Sequence, residues 1–165
     1  MTAKSKLVLV WLAVILFADQ LTKFIVDQTM PLHHSIPVID NLFNLTYVRN
    51  TGAAFGIFAG SYAGFRLPFL IAFSLVAIGF ILLMLRRLPD NEKGLITALS
   101  FILGGAVGNL IERIAYGEVI DFLDFYWLSY HWPAFNIADS FITIGVLITV
   151  YCLIKAKGED PFARH

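Results

Sequence analysis

Two aspartates, Asp121 and Asp139, are the residues of this chain whose type and setting best suit chemistry. Each lies in a short polar island beside a long apolar stretch: Gly117-Glu118-Val119-Ile120-Asp121-Phe122 and Phe135-Asn136-Ile137-Ala138-Asp139-Ser140. A carboxylate at the edge of hydrocarbon is costly, so it marks a functional position by default. Two of them on one membrane face would suit acid–base chemistry. A plainer role is open for one: Asn136 and Asp139 stand three apart, like a helix cap and its third residue, where a carboxylate suits the positive helix end. Capping accounts for Asp139 but not for Asp121 on the same face.

The elements that must position this pair are membrane spans. Of 165 residues, 58% are hydrophobic and only 15% charged, with a mean hydropathy of +0.75. A soluble domain of this length carries far more charge. Four segments can cross roughly 30 Å of hydrocarbon as helices: about 7–26, 67–85, 95–111 and 137–154. The expected fold is therefore an all-α bundle of four transmembrane helices forming a single integral-membrane domain over 1–165. Lys4 and Lys6 before an apolar stretch also resemble a signal peptide, but no small-x-small cleavage site follows, so a retained span is expected.

Basic residues orient the spans. Lys4, Lys6, Arg86, Arg87, Lys93, Lys155, Lys157 and Arg164 fall on one side of the four-span arrangement, Arg49 and Arg66 on the other. Both termini should be cytoplasmic, with the segments from about Asp27 to Phe65 and Ala115 to Ala134 facing outward. Asp121 and Asp139 then share the outer, periplasmic face, and the third and fourth helices should bring them within a water molecule's reach of each other.

The outer segments carry their own signals. Phe43-Asn44-Leu45-Thr46-Tyr47 alternates as a half-buried strand does, Asn50-Thr51-Gly52 is a turn signal, and Ala53 to Phe58 is apolar again. A small β-hairpin or sheet on the membrane surface is expected, an irregular loop being the alternative. Asp124, Phe125, Tyr126, Trp127, Tyr130 and Trp132 describe an interfacial segment, because Trp and Tyr favour the headgroup zone. Pro133 stops it, and Asn136 can cap the fourth span.

Inside the spans, Asp19 and Lys23 are four apart and can pair on one face. Gly105, Asn109 and Arg113 form a second stripe, and Gly104, Gly105 and Gly108 admit a close helix neighbour. Both stripes could serve the bundle alone, or orient a reacting pair by supporting it.

Five motifs then occur in order: Asp19-Gln20-Leu21-Thr22-Lys23, Asn50-Thr51-Gly52-Ala53-Ala54-Phe55, Gly104 to Arg113, Val119-Ile120-Asp121-Phe122 and Phe135-Asn136-Ile137-Ala138-Asp139. Across essentially the whole chain this resembles the lipoprotein signal peptidase (signal peptidase II) family. The resemblance implies a catalytic dyad of Asp121 and Asp139. It implies support or binding by Asp19, Lys23, Asn50, Gly105, Asn109, Arg113, Asn136 and Ala138. Glu112 departs from the aspartate expected before the arginine. The implied activity is that of an aspartic endopeptidase of the bacterial inner membrane. It would cut prolipoproteins just before a diacylglyceryl-modified lipobox cysteine, without a cofactor and as a monomer in contact with membrane lipids.

Other classes fit less well. His33 and His34 adjoin while His131 and His165 are distant, so no metal-ligand spacing exists. No G-x-S-x-G motif is present. The single Cys152 excludes an internal disulfide and reads as a small core residue, and zero net charge points away from nucleic acid. A small transporter relaying charge is the main rival, though four spans without an internal repeat suit one poorly.

Overall fold

A computed structural model describes residues 2–52 and 63–158. Four helices, each long and apolar enough to cross a membrane, carry a small antiparallel sheet at one end. The order is α1 (Ala3–Thr29), β1 (Ser35–Ile39), β2 (Phe43–Asn50), α2 (Ala63–Arg87), α3 (Lys93–Tyr116), β3 (Val119–Trp127), β4 (Tyr130–His131) and α4 (Ile137–Gly158). Every helix runs past the expected span at one end or both.

The helices begin and stop for local reasons. Thr2 caps α1 by accepting the Ser5 N–H at 3.2 Å, and Met30 turns extended ahead of Pro31, as a residue before proline prefers. α3 ends at Gly117, whose φ of 77° is left-handed and whose N–H reaches the Arg113 carbonyl at 3.1 Å. Glycine takes that conformation without the Cβ clash that other residues suffer.

α3 is the central helix. In its most apolar window 61% of residues are buried, against 17% in α1 and 11% in each of α2 and α4. The outer helices instead display apolar side chains, such as the stacked Phe65, Phe69 and Phe73 of α2, which suit acyl chains as solvent. Glycines set the close approaches to α3. A Cβ on Gly105 would strike the Ala138 carbonyl oxygen of α4, and one on Gly108 would lie 2.8 Å from an Asp19 carboxylate oxygen of α1. Small residues there let backbones meet.

The sheet has the order β1-β2-β3-β4. β2 does form a strand, but its long partner is β3, seventy-odd residues on, with Asn50 opposite Val119 and Val48 opposite Asp121. The apolar stretch Ala53 to Phe58 lies outside the described residues. The first half of the aromatic segment belongs to β3, so Asp121 rides on a strand rather than on the third helix. Tyr47, Ile120 and Phe122 pack with Val26 and Met30 at the end of α1, which seats the sheet on the same end of the bundle as the start of α4.

Candidate active site

Asp121 and Asp139 line one cleft of about 700 Å³, with Asn109 and Arg113 from α3, Asn50 from β2, and Trp132 to Phe135 ahead of α4. Two elements of different kind deliver the acids. The first four residues of β3, Val119 to Phe122, are all buried, and Asp121 among them is 3% exposed. Asp139 stands in the first turn of α4.

Asn136 joins them. Its side-chain amide donates to Asp121 Oδ1 at 2.7 Å, while its own Oδ1 accepts the Asp139 N–H at 3.0 Å. Asp139 Oδ2 accepts the Asn136 N–H at 3.4 Å, so the reciprocal cap foreseen from the spacing exists. Capping does not exhaust Asp139, whose Oδ1 takes the Asn109 amide at 2.8 Å. Asp121 Oδ2 takes the Asn50 amide at 2.9 Å, and Asn50 Oδ1 accepts the Gly52 N–H at 2.9 Å, which fixes the amide's aim.

The side chains that donate to the two acids are the neutral amides of Asn50, Asn109 and Asn136. Burial, and next the charge of Asp139, push Asp121 up to about 7. A carboxyl in that state can keep a proton near neutrality.

Behind the cleft lies a buried ion cluster. Lys23 is 2% exposed and meets Asp19 at 2.9 Å, Glu112 at 2.7 Å and Asn109 Oδ1 at 3.0 Å. Three acceptors match the three donors of an ammonium. Asn109 is thereby held with its Oδ1 toward Lys23 and its amide toward Asp139. Asp19 Oδ1 accepts the Ala138 N–H at 2.9 Å, tying α1 to the first turn of α4. Glu112 also accepts the Ile120 N–H at 3.3 Å, one residue before Asp121.

All ten residues singled out in the sequence thus gather at this end of the bundle. Asn109, Asn136 and Asn50 touch the acids; Asp19, Lys23 and Ala138 act one contact further out; Gly105 lets α4 close on α3. Arg113 lines the cleft and donates to the Gly52 carbonyl at 3.5 Å. Sequence reasoning paired Lys23 with Asp19 alone and missed Glu112 as its second carboxylate. The available signal was that Glu112 is the sole acid of α3. Among the described residues no group of His, Cys, Asp and Glu could hold a metal ion.

Comparisons with known proteins agree with this architecture. A family model described as Signal peptidase (SPase) II matches residues 11–155. The lipoprotein signal peptidase of Geobacter sulfurreducens is 52% identical over 142 residues, covering 86% of this chain and 88% of that protein. That of Syntrophotalea carbinolica is 47% identical over 164 residues, covering 99% and 97%. A solved structure described as a bacterial membrane enzyme obtained by the in meso method superposes with a TM-score of 0.83 at 32% identity, covering 94% of this chain and 92% of that one. The chain belongs to the signal peptidase II family.

Proposed function

We propose that this protein is an aspartic endopeptidase that removes the signal peptide from diacylglyceryl-modified prolipoproteins, cutting just before the lipidated cysteine. The observation that carries the reading is the joining of Asp121 and Asp139 through Asn136 in one cleft at the end of a membrane bundle.

Two carboxyls that share a proton can run peptide hydrolysis without a metal or a nucleophilic side chain. The ionised member takes a proton from water as its oxygen attacks the scissile carbonyl. The protonated member hydrogen-bonds the carbonyl oxygen, and a proton then passes to the leaving amine as the C–N bond breaks. Asn50, Asn109 and Asn136 hold the carboxyls in place for this, and Arg113 is placed to bind a substrate carbonyl.

Location supports the substrate class. A diacylglyceryl cysteine keeps its acyl chains in the bilayer, which brings the bond to be cut to the headgroup level. The cleft mouth combines Asn50 and Thr51 with the apolar Ile142 and Ile144 of α4, a mixed lining suited to peptide beside acyl chain. The basic residues favour cytoplasmic termini in the bacterial inner membrane, with the cleft at the periplasmic face.

The test is Asp121→Asn and Asp139→Asn, each assayed on a lipid-modified precursor. Both should insert at normal levels and lose nearly all cleavage; near-normal cleavage by either would remove the two-aspartate mechanism.

A further inference from the structure

We infer that Arg49 is a positioning residue of the candidate site, clasping the end of α1 to the turn before β3 and so holding Asn50 against Asp121. The inference rests on the two-aspartate reading above. Arg49 directs three donors at three partners, each at 2.8 Å: Nε to the Tyr47 hydroxyl, one terminal nitrogen to Glu118 and the other to Asp27. The Tyr47 hydroxyl in turn donates to Asp27. Asp27 belongs to the last turns of α1, and Glu118 to the turn between α3 and β3. The guanidinium also lies 5.6 Å from the Tyr47 ring centroid.

Arg49, Asp27 and Glu118 are about a third exposed or less, so each pair by itself would contribute little. The planar fork differs in tying three elements at once, which a single ammonium cannot reproduce. The next residue is Asn50, opposite Val119 in the ladder and donor to Asp121 Oδ2 at 2.9 Å. The clasp therefore fixes both strands just ahead of the Asn50–Asp121 bond. The charged groups around the guanidinium, on the wall of a second cavity of about 290 Å³, are Asp27, Glu118, Glu112 and Lys23. Those facing Asp121 are Asp139, Lys23 and Arg113. Asn50 donates to the ionised form of Asp121, so loosening Asn50 makes that carboxyl harder to ionise.

The experiment uses the full chain in lipid–detergent micelles, a lipid-modified precursor, and the variants Arg49→Gln, Arg49→Lys, Asn50→Ala and Arg49→Gln/Asn50→Ala. Arg49→Gln should lower kcat about tenfold with KM unchanged. Lysine should not restore it. The alkaline limb of the pH profile should move upward, and the double variant should match Asn50→Ala alone. A raised KM with kcat intact would make Arg49 a substrate contact instead. Losses that multiply in the double variant, or a limb that stays in place, overturn the clasp. Should Arg49→Gln fail to fold, Asp27→Asn and Glu118→Gln each remove one arm and are read the same way. Asp121→Asn is run alongside: normal cleavage there sinks the two-aspartate reading, whereas a dead Asp121→Asn beside wild-type-like Arg49 variants sinks only the clasp.

Discussion

Gly105 of α3 lies so close to Ala138 of α4 that an added Cβ would overlap the Ala138 carbonyl oxygen. Backbone cannot swing aside as a side chain can. Gly105→Ala should therefore push the first turn of α4 away from α3, costing about 1–3 kcal/mol of stability and most of the cleavage. Gly79→Ala provides the contrast, because nothing lies within 4 Å of its Cβ position. Thermal unfolding of the two purified variants should separate them; equal melting would refute the tight contact.

Asp121 is lifted to about 7 chiefly by burial and then by Asp139, so on the proposed mechanism it should set the alkaline limb of activity. Below that pH it keeps the proton that the pair shares; above it both acids ionise and no proton remains for the carbonyl oxygen. Cleavage should thus decline as pH rises through about 7, and decline again in acid once both carboxyls are protonated. The same upward shift means that ionising Asp121 weakens the fold as pH climbs from 3.8 toward about 7. Initial rates across about pH 5 to 9 decide the matter. A rate still climbing at the top of that range would contradict a shared proton.

Lys23→Met should be more damaging to the fold than to any single contact. It leaves Asp19 and Glu112 buried at 0% and 3% exposure without their cation. Breaking a buried pair by removing one partner costs about 3–5 kcal/mol. Adding Asp19→Asn and Glu112→Gln should recover much of that loss. If the triple variant melts no higher than Lys23→Met, the unpaired charges were not the cause.

Asn136→Ala removes the amide on Asp121 and the cap of α4 together. Loss of a cap costs about 1 kcal/mol, whereas misplacing a reacting group can cost about a hundredfold in rate. We expect kcat to fall by about that factor while melting shifts only modestly. Proportionate losses of both would demote Asn136 to a cap.

Sidedness can be read with one thiol at a time. In a Cys152→Ser background, Asp40→Cys and Asn91→Cys place exposed thiols at opposite ends of the bundle. An impermeant maleimide added to intact cells with a permeabilised outer membrane should label the first and spare the second. The reverse pattern would place the cleft on the cytoplasmic face.

Much of this arrangement was legible in the sequence because its causes are local. Helix length and apolarity gave four spans, and the Asn136–Asp139 spacing gave a cap that the hydrogen bonds display. The Asp19–Lys23 pair is likewise a matter of one helix turn. What escaped was long-range. Nothing near Phe43 announces a partner at Phe125, and strand pairing across such a separation depends on the whole bundle closing. Glu112 escaped for the same reason: its place opposite Lys23 follows from how α1 crosses α3, and periodicity along either helix does not encode that crossing. Arg49 could be counted as an outward charge, but the meeting of Asp27 and Glu118 around it needed the folded sheet.

One acid of the pair hangs from a helix and the other from a ladder in which Asp121 faces Val48. Helices in a bilayer keep their hydrogen bonds to themselves, but a ladder can slip, and a one-residue step turns every side chain to the opposite face. Such a step would aim Asp121 away from Asp139 without disturbing a single transmembrane segment. On the proposed mechanism, one acid's aim would rest on a helix and the other's on β2 and β3 keeping count.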